Sequence, residues 1–505
     1  MPKLDAYLSD VISFAYKNPI LISNPALSRN PYASSLLLHV SERLHHGKFI
    51  IKKWNILSRL LKYYVKSFVY LFFYFLYYLT FKFSKLTFDK KKIDKGESLF
   101  VIDTFMMIDR IIPRRRFEDS FFGSLYEILE KRNKQSVILC ILFGGRPWNL
   151  KSRLQTYNIL ASDKRDFITE FDLMTFGQWV AVIKFIVVYP LVSLRIIQRS
   201  FGEFDEFLRE EIINTLDSVQ FINYLKYEVG LRLKSLTNHK IKLATWYENQ
   251  VADKLLIRGI RDSGSDALIY GCTFIMKYPQ MQSYDPLVEE AKQNVLPDII
   301  FVTGKYHLNK NPGLNVKLGI SPRYNYIHDI ELNKNKIGKR RGLLLLLSYY
   351  IDGSKRLINI VKGYSNINKD YQVTIKFHPN HVHLQPFKYP EEWDYTEKAL
   401  IDLYSTSSVV VTTSFTGAAL EVAIMGCSVI IVGSDKGITS NPMPEYGKGK
   451  IWDMVFDSEG LGKALIRLSQ YRHKNPDDIV VMANELRDLF LTKATEQRYV
   501  ELFDL

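Results

Sequence analysis

The sequence predicts an α/β protein of two lobes facing a cleft, preceded by a helical, aromatic-rich N-terminal segment. Three observations predict it. At 505 residues the chain exceeds what one ordinary core holds, so it divides into two domains, or three with a small appendage. Short apolar runs alternate with amphipathic helical stretches, the mark of parallel sheets covered by helices. The alternation occurs twice, and the polar, basic stretch LNKNKIGKRRG, Leu332 to Gly342, separates the two occurrences. The expected division is an N-terminal segment over 1–95, a first lobe over 96–332 with a helical insertion at about 150–235, and a second lobe over 333–505.

Within the N-terminal segment a helix is expected near Ser41 to Leu61, followed by YYVKSFVYLFFYFLYYLTFKF, residues 63–83, almost wholly apolar and aromatic between lysines. Its uninterrupted part, Ser67 to Phe81, is shorter than the ~20 residues of a bilayer span. A second apolar stretch, Trp179 to Ile197, carries Lys184 inside it and Pro190 as a helix breaker. Both stretches fit helices lying in a membrane interface, with rings at headgroup depth and lysines on the phosphates. Burial in a protein core is the other reading, and a single span at 63–83 requires the lysines to snorkel.

The first lobe begins with strands over 98–105 and 136–144, joined by the amphipathic helix FEDSFFGSLYEILEKRNK. After the helical insertion the strand rhythm returns at 242–249, 267–274 and 297–304, with a helix over QVADKLLIRGIRDSG. Parallel sheets hold ligands at the carboxyl ends of their strands, which singles out Glu248, Gly271 and Gly304. In the second lobe, strands are expected at 343–350 and 372–379, and a strand, loop, helix and strand over 407–434.

Charge and composition limit the function classes. Hydrophobic residues at 47% and charged residues at 24% are globular values and exclude a disordered or collagen-like chain. The excess of 68 Lys plus Arg over 53 Asp plus Glu gives +15, which favours nucleotides, phospholipid headgroups or nucleic acid as partners. No nucleic-acid reading motif accompanies it, so nucleic acid ranks last and is not expected as a partner. Cys140, Cys272 and Cys427 are far apart and beside apolar runs, so they are expected as reduced core residues of a cytosolic protein. The N-terminus has no basic region followed by a clean apolar core, and the chain is expected to stay in the cytoplasm.

Two motifs of the second lobe carry chemistry. In TTSFTG, Thr412 to Gly417, a β-branched run ends in hydroxyls and a glycine before a helix whose capping candidates are Ser414 and Thr416. Such a helix start offers N–H groups and a dipole to an anion, phosphate above all, although a cap alone explains the residues equally well. In IKFHPNHVH, three of the ten histidines, His378, His381 and His383, fall within six positions. The spacing permits a metal, but His378 stands out of phase with the other two and no acidic residue is near, so no metal is expected. What remains is a hydrogen-bonded histidine at a strand end, or a phosphate ligand aimed by Pro379 at the carboxyl edge of the sheet.

A strand ending in KFHP, followed by TTSFTGAALEVAIMGCSVI, resembles the nucleotide-binding lobe of bacterial surface-polysaccharide (capsule and O-antigen) glycosyltransferases of the GT-B fold. More narrowly it is similar to the sialyl-, polysialyl- and Kdo-type enzymes that use CMP-activated acidic sugars. The resemblance implies a nucleotide-phosphate site at His378, Pro379, Thr413, Ser414, Thr416 and Gly417. YENQVADKLLIRGIRDSGSDALIYGCTF resembles an upstream segment of the same group, with Glu248 at its acidic position; where members often carry a histidine after the glycine, this chain has Phe274. The Asp/Glu-Asp/Glu-Gly motif of the sialyltransferase kind is missing from the first lobe.

The resulting expectation is a metal-independent glycosyltransferase, without cofactor, moving a nonulosonic or Kdo-type sugar from a CMP donor to a surface polysaccharide or lipid-linked glycan. It would attach peripherally to the inner face of the cytoplasmic membrane through 63–83, with 179–197 as a second contact. His378 and the start of the following helix would neutralise the single leaving phosphate, and a protonated His378 could donate to the leaving oxygen. Glu248 is the first candidate base and Asp103 the second; a helix-dipole role for Glu248 and a structural one for Asp103 are the alternatives. Glu421 binds the ribose or faces solvent. Arg323 and Lys376, with Gly271 and Gly304, are candidates for phosphate or sugar contact. A CDP-polyol phosphotransferase of teichoic-acid type, and a non-catalytic membrane-associated subunit of glycan assembly, are the rival readings.

Overall fold

The computed structural model describes residues 2–31, 56–90, 98–308, 312–379, 387–435 and 439–505. His381, His383 and most of the helix expected near Ser41 to Leu61 lie outside the described residues. The first lobe carries a seven-stranded sheet of β1 (Ser98–Asp103), β2 (Ser136–Cys140), β3 (Phe167–Thr169), β4 (Lys240–Trp246), β5 (Leu268–Thr273), β6 (Ile299–Val302) and β7 (Val316–Leu318). Its spatial order is β3-β2-β1-β4-β5-β6-β7 and every pairing is parallel. This is the doubly wound order, in which the crevice between β1 and β4 is the topological switch point.

The second lobe repeats the plan with six strands, β8 (Gly342–Leu346), β9 (Val373–Lys376), β10 (Asp394–Tyr395), β11 (Ser407–Thr413), β12 (Ser428–Val432) and β13 (Trp452–Val455). They lie in the order β10-β9-β8-β11-β12-β13, again all parallel, with the switch point between β8 and β11. The near-continuous apolar runs of β8, β11 and β12 follow from burial on both faces: every residue of β11 and β12 is buried. The chain is thus an α/β protein of two Rossmann-like lobes with an aromatic-rich helical N-terminal region.

Six helices matter below: α1 (Pro2–Ala15), α2 (Ile56–Lys82), α3 (Phe176–Ile197), α4 (Val251–Asp262), α5 (Pro476–Phe490) and α6 (Glu496–Phe503). The expectation that Pro190 breaks a helix is corrected, because α3 runs through it. Proline removes the N–H that would meet the Ile186 carbonyl, and in the same turn the Tyr64 hydroxyl of α2 donates to the Val187 carbonyl at 3.0 Å. The amphipathic helix expected over residues 117–134 shrinks to Leu125–Lys131, because Asp119 accepts from the Phe121 and Phe122 amides and turns the chain beforehand.

Residues 2–31 join the core of the first lobe. Glu290, fully buried, accepts from Tyr16 at 2.9 Å, Arg29 at 3.0 Å and Lys254 at 2.8 Å, and Asn30 accepts from the first amide of α4. Burial alone would push the Glu290 carboxyl up, but Lys254 and Arg29 outweigh it and hold it well below its usual range. At the other end, the chain leaves the second lobe after α5 and returns to the first. There Phe503 of α6 packs on Phe100, Tyr270 and Phe301, and Tyr499 donates to the Phe122 carbonyl at 2.7 Å. The connection between lobes is therefore double. Ser321 and Thr492 bond across it at 2.9 and 3.0 Å, and Ala494 donates to Asn325 at 2.8 Å.

Glu170, behind β3, supplies a stability test. Burial raises its carboxyl to about 7 against the opposing pull of its own amide and Arg153. The folded state therefore holds a proton that the unfolded chain releases above its ordinary value, and stability declines as pH rises toward 7. Glu170→Gln removes that decline: relative to wild type it gains on the order of 3 kcal/mol between pH 4.5 and 8 in urea unfolding.

Candidate functional site

The carboxyl ends of the two sheets meet. The segment after β5 reaches the second lobe, where Tyr278 lies 6.0 Å from the Phe415 ring and Gln280 accepts from the Asn441 amide at 3.1 Å. At the second lobe's switch point, Ser348, Tyr350, Asp352, Thr413, Ser414 and Asp435 help to line a cavity of about 280 Å³. That volume lies near the small end of ligand pockets, about 300–1,000 Å³. Two larger concavities lie at the amino ends of the strands, beside Ser136 and Gly342, on the side away from the cleft.

The loop after β11 differs from the expected cap. Gly417, not Ser414 or Thr416, is the N-cap of the short helix Ala418–Ile424, and no side chain caps it. The Ser414 and Thr416 hydroxyls are instead shielded from solvent without a protein hydrogen-bond partner. Buried hydroxyls are ordinarily satisfied, so two together at a strand end have the character of a site awaiting an acceptor. Between them Phe415 is held at φ 60°, a conformation a bulky residue adopts only under strain; its amide donates to the Ser440 carbonyl at 2.9 Å. The Gly417 amide bonds the Tyr278 hydroxyl, and Thr413 is buried against Gly353.

His378 stands at the carboxyl edge of its sheet, half-buried, with Pro379 exposed behind it. Its strand does not adjoin the one that delivers the hydroxyl loop. Strand β8 lies between β9 and β11, and its trailing residues interpose a row of rings: Tyr349 is 5.6 Å from His378, and Tyr350 is 5.0 Å from Phe415. His378 reaches the edge of the site one strand beyond the switch point. Lys376 is directed outward, donating to the Glu397 carbonyl at 3.3 Å, and burial lowers its ammonium.

Arg323 is the residue on which the two lobes converge. It sits in the 3₁₀ turn Pro322–Asp329 of the inter-lobe connection, exposed to the cleft and 5.9 Å from the Phe121 ring. Tyr324, then Glu421, Tyr326 and Glu248, raise its guanidinium above the ordinary range, which places carboxylates of both lobes within its field. Glu421 accepts from Tyr326 at 2.7 Å; burial raises its carboxyl, and the Tyr326 bond and Arg323 oppose the rise. It neither faces open solvent nor stands alone. Arg110, after β1, is a second guanidinium there, lowered by burial and by repulsion from Arg323 and Arg114.

Glu248 is fixed by its turn. Asn249 adopts φ 58°, its side chain accepts from Tyr247 at 3.0 Å and donates to the Ser283 carbonyl at 2.8 Å, and Gln250 donates to Glu248 Oε2 at 2.7 Å. Asp253 accepts from the Glu248 and Gln250 amides at 2.9 Å each, and burial raises its carboxyl to about 7. Three other expectations are corrected. Asp103 is buried in an ion pair with Lys226 at 2.5 Å and accepts from Thr245 at 2.9 Å, which makes it structural. A Cβ on Gly271 would stand 2.5 Å from Pro297, and one on Gly304 would strike the Phe490 backbone, so both glycines serve close packing rather than a ligand.

Arg110, Tyr278 and Tyr326 escaped sequence reasoning because no motif marks an isolated Arg or Tyr, and only the inter-lobe contact gives them a place. No protein-family model matches the chain, and no curated protein does. Among solved structures it is similar to UDP-GlcNAc 2-epimerase from Neisseria meningitidis bound to UDP-GlcNAc, at 12% identity and TM-score 0.46, over 81% of this chain and 99% of that one. It is similar to MurG of Acinetobacter baumannii at 11% and 0.40, over 81% and 99%, and to the wall teichoic acid polymerase TagF at 11% and 0.38, over 90% and 97%. These are loose likenesses, and the two-lobed fold rests on the strand orders above.

The corrected roles separate by stability. Asp103→Asn leaves Lys226 buried and unpaired and costs about 3 kcal/mol in urea unfolding. Glu248→Gln, which keeps the size of the side chain and an oxygen for the Gln250 amide, shifts stability by less than about 1 kcal/mol.

Proposed function

We propose that this chain is a glycosyltransferase that binds a nucleotide-activated sugar in the cleft and transfers the sugar to a glycan hydroxyl. The observation that carries the reading is the pair of unpartnered hydroxyls, Ser414 and Thr416, at the switch point of one lobe, together with Arg323 of the hinge, which lies within the field of Glu421 from that lobe and Glu248 from the other. Donors of that kind suit a phosphate whose charge grows as the glycosidic C–O bond breaks. In the proposed step the acceptor hydroxyl loses its proton to Glu248 as its oxygen bonds the anomeric carbon. The bond from that carbon to the donor phosphate oxygen breaks, and the electron pair stays with the phosphate. Ser414, Thr416 and Arg323 bear the new charge, and His378, beyond Tyr349, is the outer phosphate contact. Glu421, held by Tyr326, is the proposed contact for a ribose hydroxyl.

The finer reading is a CMP donor with an acidic sugar. One leaving phosphate matches the small hydroxyl pair, and Arg110, beside Arg323, offers a further guanidinium for a sugar carboxylate as a second anion. Thermal-shift titration with CMP, CDP, UDP and GDP tests it, because a ligand of the folded state raises the melting temperature once its concentration passes Kd. CMP is expected to stabilise selectively. Ser414→Ala combined with Thr416→Val should weaken it about ten- to hundredfold, and His378→Ala less. A response to CDP alone points to polyol-phosphate transfer, and none to any nucleotide contradicts the transferase reading.

A further inference from the structure

The helices α2 and α3 pack against each other in antiparallel sense: Tyr63 lies 5.6 Å from Tyr189, and Tyr74 6.5 Å from Trp179. One face of each is sealed into the first lobe, through Tyr63, Tyr74, Tyr77 and Phe81 on α2 and Val182, Phe185, Ile186 and Tyr189 on α3. The opposite faces are apolar and exposed. On α2 the stripe is Leu57, Leu61, Val65, Phe68, Phe72 and Phe75; on α3 it is Phe176, Val180, Ile183, Val187 and Leu191. Both follow the three- and four-residue steps of a single helical face.

The stripes converge on a groove of about 510 Å³, to which Phe75 and Tyr78 contribute from one side and Phe176, Trp179 and Ile183 from the other. Charge is equally one-sided. Neither helix contains an Asp or Glu, whereas α2 carries Arg59, Lys62, Lys66 and Lys82, and α3 carries Lys184 and Arg195. Both helices are long enough to cross a membrane: 22 residues at ~1.5 Å each exceed the ~30 Å hydrocarbon core. Crossing would nevertheless expose to lipid the tyrosines now packed in the lobe.

We infer that α2 and α3 form one membrane-docking face that lies in a single leaflet of an anionic phospholipid bilayer, with an acyl chain in the groove between them and the exposed cations Lys62, Lys82, Lys184 and Arg195 on the phosphates. Amphipathic helices of this kind sink about 5–10 Å below the headgroups. The inference is independent of the glycosyl-transfer reading, since it requires no nucleotide and no catalysis.

The test is sedimentation of the full chain with vesicles of phosphatidylcholine plus phosphatidylglycerol, and with phosphatidylcholine alone. Binding is expected to favour the anionic vesicles. Phe72→Ser with Phe75→Ser and Leu191→Ser should lower partitioning at least tenfold at an unchanged melting temperature, the three side chains being exposed already. Lys62→Gln with Lys184→Gln should lower the preference for phosphatidylglycerol on the order of tenfold. In Ile56→Cys and Lys85→Cys, exposed positions at the two ends of α2 and outside its apolar stripe, a membrane-impermeant maleimide should label vesicle-bound protein at both ends, the three native cysteines being buried. Labelling at one end only would overturn the leaflet geometry in favour of a span. Unchanged sedimentation of the triple variant would overturn the docking face, as would an oligomer that the variant dissociates and that never binds vesicles.

Discussion

The two lobes face each other because the chain crosses between them twice. A single linker would leave their relative placement to a hinge, whereas here the outgoing turn at Ser321–Asn325 and the returning segment at Thr492–Ala494 are hydrogen-bonded side by side. Each crossing ends in a core: Tyr324 and Ile327 are buried against the second lobe, and Phe503 is sealed beneath the first sheet. Because all pairings within both sheets are parallel, every strand of a lobe delivers its carboxyl end to the same edge, and the double connection sets the two edges opposite one another.

That constraint makes Arg323 a shared residue rather than a feature of one lobe. It stands on the outgoing crossing, within the field of Glu248 from one lobe and Glu421 from the other. The turns around it are held away from relaxed backbone geometry, at Asn249 in the first lobe and Phe415 in the second. Strain of this sort, of order 1–3 kcal/mol per residue, persists when neighbouring bonds over-determine the conformation. The Asn249 side chain and the Phe415 amide are both tied down in this way. The result is a cleft whose polar groups are positioned before any ligand arrives, which lowers the ordering that binding must pay for.

Much of the fold was legible in the chain. Alternating apolar runs located β1, β2, β4, β5, β6, β8, β9, β11 and β12, because strands buried on both faces announce themselves as continuous Val, Ile and Leu. The edge strands β3, β7 and β10, only two or three residues long, were not legible, nor was β13, in which Asp453 interrupts the apolar run. Lateral order was hidden as well. Periodicity does not say that β8 lies between β9 and β11, and so the distance between His378 and Ser414 could not be read. Asp103 and Glu248 look alike as acids near strand ends; only Lys226, arriving from a helix 123 residues away in sequence, makes the first structural. The hydroxyl loop was recognised from its residues, but its decisive property, two buried hydroxyls without partners, is a fact of packing.

Hydrogen–deuterium exchange of the whole chain, with and without saturating CMP, tests the placement of the nucleotide most directly. Slowed exchange confined to peptides covering 348–353, 413–421 and 321–327, with no change near Ser136 or Gly342 at the opposite sheet edges, is the predicted result. Protection at those opposite edges, or an unaltered pattern under conditions where the nucleotide is bound, would contradict an inter-lobe site built on Ser414, Thr416 and Arg323.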